Sequence, residues 1–195
     1  MQDTLVNPNK ALWSTGDFTK IAERMRDSGE KLVATLGIRP GMDVLDLGCG
    51  DGTTALPEAE LGANVVGVDL TPALVEAGKA RAKAAGLDNI RFEEGDASNL
   101  SGLADESFDL VVSIFGAMFA PRPDDVTKEM VRVTRPGGRI AMGNWIPSRG
   151  DPLNEAAPCI RSRAAHSANS YATFQSGTRV AYRQTGPVSG RASAI

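Results

Sequence analysis

Three carboxylates recur near the ends of successive apolar runs, spaced as groups that would hold a nucleoside. Asp46 sits in Val44-Leu45-Asp46-Leu47, Asp69 follows it by 23 residues and closes Val65-Val66-Gly67-Val68, and Asp96 comes 27 residues later in Glu94-Gly95-Asp96-Ala97. A carboxylate offers two oxygens with lone pairs to spare, so Asp69 is expected to accept both hydroxyls of a ribose and Asp96 the amino hydrogen of an adenine. After the first run come Gly48, Cys49, Gly50, Asp51 and Gly52, with glycines at alternate positions. Without a Cβ they permit unusual backbone angles and let the chain approach a ligand closely. A bare strand-to-helix turn accounts for one such glycine and poorly for three. Taken singly, Asp69 reads equally as a helix cap before Thr71-Pro72, and Gly95-Asp96 as an ordinary turn; their recurrence favours an adenosine-containing cofactor. Cys49 reads as a small residue in the loop, because nothing near it in sequence would activate a thiolate.

These residues need a scaffold, and the apolar periodicity supplies one. Strands are expected near residues 43–47, 64–69, 89–94, 108–114 and 138–144, with helices near 53–61, 72–85 and 124–134. Thr71-Pro72 marks a helix start and Gly86 its end. Residues 17–36 read as one or two further helices, capped by Asp17 and stopped by Gly37. Repeated βα units with short apolar strands imply a parallel sheet covered on both faces, hence an α/β, Rossmann-like three-layer sandwich.

At 195 residues and 42% hydrophobic composition, the chain suits one domain with a real core. No apolar stretch nears the roughly 20 residues that span a bilayer, and the N-terminus resembles no secretory signal. Two cysteines imply no disulfide framework, so a cytoplasmic location is the expectation. The net charge of −3 is uneven: residues 148–195 carry six arginines against two acids, a net of +4, which leaves −7 for the rest. An acidic body argues against nucleic acid as the main partner.

With the order of motifs in view, the chain resembles the class I S-adenosylmethionine-dependent methyltransferases, and most closely the type 11 branch that includes ubiquinone and menaquinone biosynthesis enzymes. Asp46 to Gly52 matches the first family motif, Val68-Asp69 the second, Gly95-Asp96-Ala97 the third, Phe108 to Ser113 the fourth, and Arg135-Pro136-Gly137-Gly138 the turn before the fifth strand. The resemblance implies S-adenosylmethionine as cofactor, with Asp46, Gly48 and Gly50 around its methionine part, Cys49 among the cofactor-binding residues, Asp69 at the ribose, Leu70, Asp96 and Ala97 around the adenine, and Ser113 beneath the cofactor near the transferred methyl. It also implies a lid in residues 1–40, where Trp13, Asp17 and Phe18 lie, although ordinary helix packing explains those residues as well. An NAD site would need Gly-x-Gly-x-x-Gly, and Thr53 stands at the third glycine position.

Displacement of a methyl group from a sulfonium already has a good leaving group, so alignment and desolvation suffice and a base is optional. No catalytic residue and no metal set is assigned; the one histidine, His166, reads as a surface residue. Ser113-Ile114-Phe115-Gly116 lacks the Asn/Asp-Pro-Pro-aromatic signature of amino-group methyltransferases acting on bases or protein amides. A small-molecule acceptor is therefore expected, with Phe115, Met118 and Phe119 lining its pocket. The core is expected over 41–147. From 148 to 195 the patterning changes, and a truncated, diverged or partly disordered end is expected, with strands only at Tyr171-Phe174 and Thr178-Tyr182, paired as a hairpin. This leaves a rival expectation: a domain that binds cofactor but is catalytically impaired, its fifth strand an exposed edge.

Overall fold

The computed structural model describes residue 7, residues 9–146, and the two segments 170–173 and 179–184. Five parallel strands come first: β1 (Asp43–Leu47), β2 (Asn64–Asp69), β3 (Ile90–Glu94), β4 (Phe108–Ile114) and β5 (Thr134–Ile146). Between and before them lie α1 (Asn9–Trp13), α2 (Thr19–Val33), α3 (Ala55–Glu60), α4 (Pro72–Ala84) and α5 (Pro123–Val133), with a 3-10 turn over Ala117–Phe119. Two more strands, β6 (Ser170–Thr173) and β7 (Arg179–Gln184), complete a seven-stranded sheet in the order β3-β2-β1-β4-β5-β7-β6.

Successive strand side chains point to opposite faces, and in a parallel sheet both faces must be covered. Val44, Leu110 and Val112 accordingly pack with Val33 of α2, Leu56 and Ala59 of α3, and Val75 and Ala82 of α4. Leu45, Leu47 and Val111 face the other way, onto Val126, Met130 and Val133 of α5. Each fully buried Leu or Val here contributes about 1.5–3 kcal/mol relative to an exposed one. The result is the expected three-layer sandwich.

The hairpin forms as anticipated, with β6 and β7 antiparallel from Ser170↔Tyr182 to Thr173↔Arg179. The expectation of an exposed fifth strand is corrected, because β5 pairs along its outer side with β7 from Ala141↔Gln184 to Ile146↔Arg179. The element β5 also begins earlier than expected. Thr134 pairs with Phe108, and after an irregularity the register resumes at Leu110↔Arg139, so Arg135 to Gly138 form a bulge inside the strand. Cys159 and His166, and most of the atypical C-terminal stretch, lie outside the described residues.

The chain leaves β1 for β2 on one side and later returns through β4 on the other. That change of direction opens a crevice beyond the carboxyl ends of β1 and β4, where ligands bind in open α/β sheets.

Candidate functional site

A cavity of about 480 Å³ occupies that crevice, within the 300–1,000 Å³ typical of small-molecule sites. Its floor is the glycine loop. Gly48, Gly50 and Gly52 all adopt positive φ, at 74°, 56° and 86°. At Gly50 an added methyl group would meet no atom within 4 Å, so bare backbone faces the opening. Gly48 serves a different close approach: a Cβ there would stand 2.6 Å from the Gly116 Cα, because the loops after β1 and β4 cross backbone to backbone.

Asp69 ends β2 and ties the floor together. Its Oδ2 accepts the Gly50 N–H at 2.8 Å and its Oδ1 the Thr71 N–H at 2.9 Å. The helix-capping and ligand readings of this residue are thus compatible, since the carboxylate that accepts the Thr71 N–H also borders the cavity. Burial pushes its carboxyl upward against those two backbone hydrogen bonds. Asp96 accepts the Ser98 N–H and hydroxyl on Oδ1, and the Asn7 side-chain amide on Oδ2 at 3.0 Å. Burial opposes ionisation of Asp96, but the Ser98 and Asn7 hydrogen bonds and nearby Arg122 outweigh it and hold the carboxyl below its ordinary range.

Gly48, Cys49, Gly50, Asp69, Leu70, Asp96 and Ala97 all line the cavity. Asp46 and Ser113 are not among the lining residues. Each is the penultimate residue of its strand, so its side chain points to a face of the sheet instead of past its edge. Ser113 is buried, donating to the Leu47 carbonyl at 2.6 Å and accepting the Ala117 N–H at 2.9 Å. Asp46 is buried with Oδ2 on the Thr54 hydroxyl at 2.5 Å. Burial, opposed by that hydrogen bond and reinforced by Asp69, pushes its carboxyl up to about 7. Burial first, then the charges of Asp46 and Asp69, also raises the Cys49 thiol well above its ordinary value, in keeping with a neutral filler.

The N-terminal segment forms the opposite wall. Trp13 and Phe18 line the cavity, and Asp17 instead accepts the Thr19 N–H at the start of α2. The Trp13 ring stands 5.2 Å from Phe18 and 5.0 Å from Phe119, bridging the helical segment to the loop after β4. Asn9 donates to the Phe119 carbonyl at 2.8 Å, and Lys10 pairs with Glu94. Phe115 and Phe119 line the cavity as expected, whereas Met118 is not among the lining residues. Phe115 holds φ at 59°, in the left-handed region uncommon for a bulky residue. The sequence reading missed Asn7, Arg24, Met25, Gly29 and Thr53, which also line the cavity. The glycine-rich spacing signals the loop but carries no signal for the helix packed on it.

An adenosine-bearing ligand fits what is present. Asp69 offers two acceptors for two ribose hydroxyls, Asp96 keeps one free lone pair for an amino donor, Leu70 and Ala97 give apolar walls, and the Gly50 backbone is open. Among the described residues no helix is long and apolar enough to cross a membrane.

Comparison with known proteins gives the same answer. A model of the methyltransferase domain family matches residues 45–142, just over half of the chain. An uncharacterised protein of Mycobacterium tuberculosis is 43% identical over 143 residues, 73% of this chain and 52% of that protein. A demethylmenaquinone methyltransferase of Renibacterium salmoninarum is 33% identical over 148 residues, 72% of this chain and 60% of that protein. The chain therefore spans about half the length of the curated relatives it matches first. Among solved structures, the YcgJ protein of Bacillus subtilis is 29% identical with a TM-score of 0.60, over 66% of this chain and 55% of that one. A SAM-dependent methyltransferase of Aquifex aeolicus, 20% identical, shares the fold with a TM-score of 0.64 over 87% of this chain and 99% of that one. Motifs, crevice and relatives converge, and the chain belongs to the methyltransferase domain family, in the class I, type 11 branch whose cofactor is S-adenosylmethionine.

Proposed function

We propose that the protein transfers a methyl group from S-adenosylmethionine to a small, largely apolar acceptor by direct displacement. The observation that carries this reading is Asp69: a carboxylate fixed by two backbone N–H groups where the end of β2 borders the cavity. In this reading Asp69 takes the ribose hydroxyls, Asp96 with Leu70 and Ala97 takes the adenine, and the Gly48–Gly50 backbone, with Cys49 as filler, receives the methionine part. Asp46 and Ser113 act one layer back, as braces for the loops after β1 and β4.

When bound, the cofactor supplies an electrophilic methyl on a sulfonium with a neutral thioether as leaving group. The chain then has to orient the acceptor and exclude water. Trp13, Phe18, Phe115 and Phe119 give the cavity an apolar, aromatic side suited to both tasks. That lining favours an apolar acceptor, in line with the acceptor class that the name of the Renibacterium relative suggests. No base is assigned, since alignment alone accounts for such a displacement.

The test is calorimetric titration with S-adenosylmethionine and S-adenosylhomocysteine, followed by acceptor screening. Saturable binding is expected, and Asp69→Ala is expected to weaken it about 100-fold, the size of two hydrogen bonds to a charged acceptor. Unchanged affinity in Asp69→Ala would count against the reading. Binding without turnover on any apolar acceptor would support the catalytically impaired alternative.

A further inference from the structure

Asp51 is the one acid on the cavity floor to which neither ribose nor adenine has been assigned. Its side chain is 1% exposed, yet it meets two cations from two helices. Arg26 of α2 reaches Oδ2 at 3.2 Å; Arg81 of α4 reaches Oδ1 at 3.1 Å and donates to the Asp51 carbonyl at 2.7 Å. The Thr53 hydroxyl adds a bond to Oδ1 at 3.2 Å. A buried carboxylate without such partners would carry a heavy desolvation cost.

Gly29 lies three residues after Arg26, on the same face of α2. A Cβ at Gly29 would stand 2.7 Å from the Thr53 carbonyl oxygen, so helix and loop are in backbone contact there. The helix thus meets the glycine loop at two points one turn apart, one ionic and one steric. Asp51, Thr53 and Gly29 all line the cavity. By contrast α1 buries none of its residues.

We propose that Asp51 is a positioning residue for the cofactor, latching α2 to the glycine loop through Arg26 so that Gly48 and Gly50 keep their positive φ. The proposal rests on the reading of this cavity as the S-adenosylmethionine site. It assigns α2 to the fixed wall of the site. Loss of the latch then loosens the cofactor well before it unfolds the domain, because Leu32 and Val33 still anchor the helix in the core.

Titration of the full chain with S-adenosylhomocysteine tests this, with melting temperature measured in parallel. Arg26→Gln is expected to weaken binding about tenfold, one solvent-screened charge contact amplified by a looser loop, while shifting the melting temperature by less than about 3 °C. Arg26→Lys should restore affinity, since a single contact needs a cation and no fork. The double variant Asp51→Asn with Arg26→Gln should bind no more weakly than Asp51→Asn alone, as for two halves of one interaction. Wild-type affinity in Arg26→Gln, failure of the lysine to rescue, or additive losses in the double variant would overturn the latch. Absence of binding by the wild-type chain would instead overturn the cofactor reading on which it stands. Arg26 is half-exposed, so the Gln and Lys variants decide the matter even if Asp51→Asn does not fold.

Discussion

Behind the glycine loop, three buried carboxyl oxygens have no hydrogen-bond partner: Oδ1 of Asp46 and both oxygens of Glu58. Burial, with the charge of Asp46 added, raises the Glu58 carboxyl well above its ordinary value. Asp46 moves from an ordinary 3.8 to about 7. Between those values the folded protein keeps a proton that the unfolded chain has lost, so this contribution to stability is full below 3.8 and lost as pH rises through about 7. Asp46→Asn, which mimics the protonated acid, should gain stability over wild type as pH rises from about 5 to 8 in denaturant titrations. A difference that stays constant over that range would refute the assignment. Glu58→Met keeps the volume and removes two orphaned oxygens; a gain of about 1–3 kcal/mol at pH 7 is expected by the same measurement, and a loss would show that Glu58 has a hidden partner. At this scale the placing of Asp69 and Asp96 beside the crevice was legible because they follow the ends of their apolar runs. The burial of Asp46 and Ser113 within their strands was not legible, because their partners Thr54 and Ala117 come from the segments that follow β1 and β4.

Elements meet at the site through backbone as much as through side chains. The loops after β1 and β4 touch at Gly48 and Gly116, and a Cβ on Gly116 would lie 2.7 Å from the Gly48 Cα and 2.8 Å from the Leu47 carbonyl oxygen. Gly116→Ala should therefore cost about 1–3 kcal/mol in denaturant unfolding, as overpacking of a tight contact does, and should weaken S-adenosylhomocysteine binding through the displaced floor. Full stability in this variant would mean that the crossing is looser than described. The periodicity of apolar residues was enough to locate the strands and helices of the core, because burial on both faces leaves a continuous apolar run for each strand. It could not reveal Gly116, whose requirement arises from a residue 68 positions earlier. Arg26, Gly29 and Asp51 were hidden for the same reason: each looks unremarkable until helix and loop are brought together.

Over the whole molecule, the sheet joins local and distant pairings. The strands from β1 to β5 follow from repeated βα units, and that part of the architecture was legible as alternation. The hairpin of β6 and β7 was legible too, but its docking on β5 depends on a register of six pairs that nothing local specifies. Since the cavity draws on α1, α2 and the loops after β1 to β4, a ligand filling it ties the two faces of the sandwich into one cooperative unit. A ligand that binds only the folded state at 100 times its Kd adds about 2.7 kcal/mol. S-adenosylhomocysteine at that ratio should raise the single thermal midpoint, whereas a second, unshifted transition would reveal a part of the chain that folds independently of the site.

Trp13, one of two tryptophans in the chain, bridges Phe18 and Phe119 at the mouth of the cavity. An indole's emission depends on the polarity and mobility around it, and this one lies against both a helix start and the loop facing it. The protein thus carries its own optical probe in the wall of the cavity, and a change of that emission on mixing with S-adenosylhomocysteine would report occupancy of the site without any attached label.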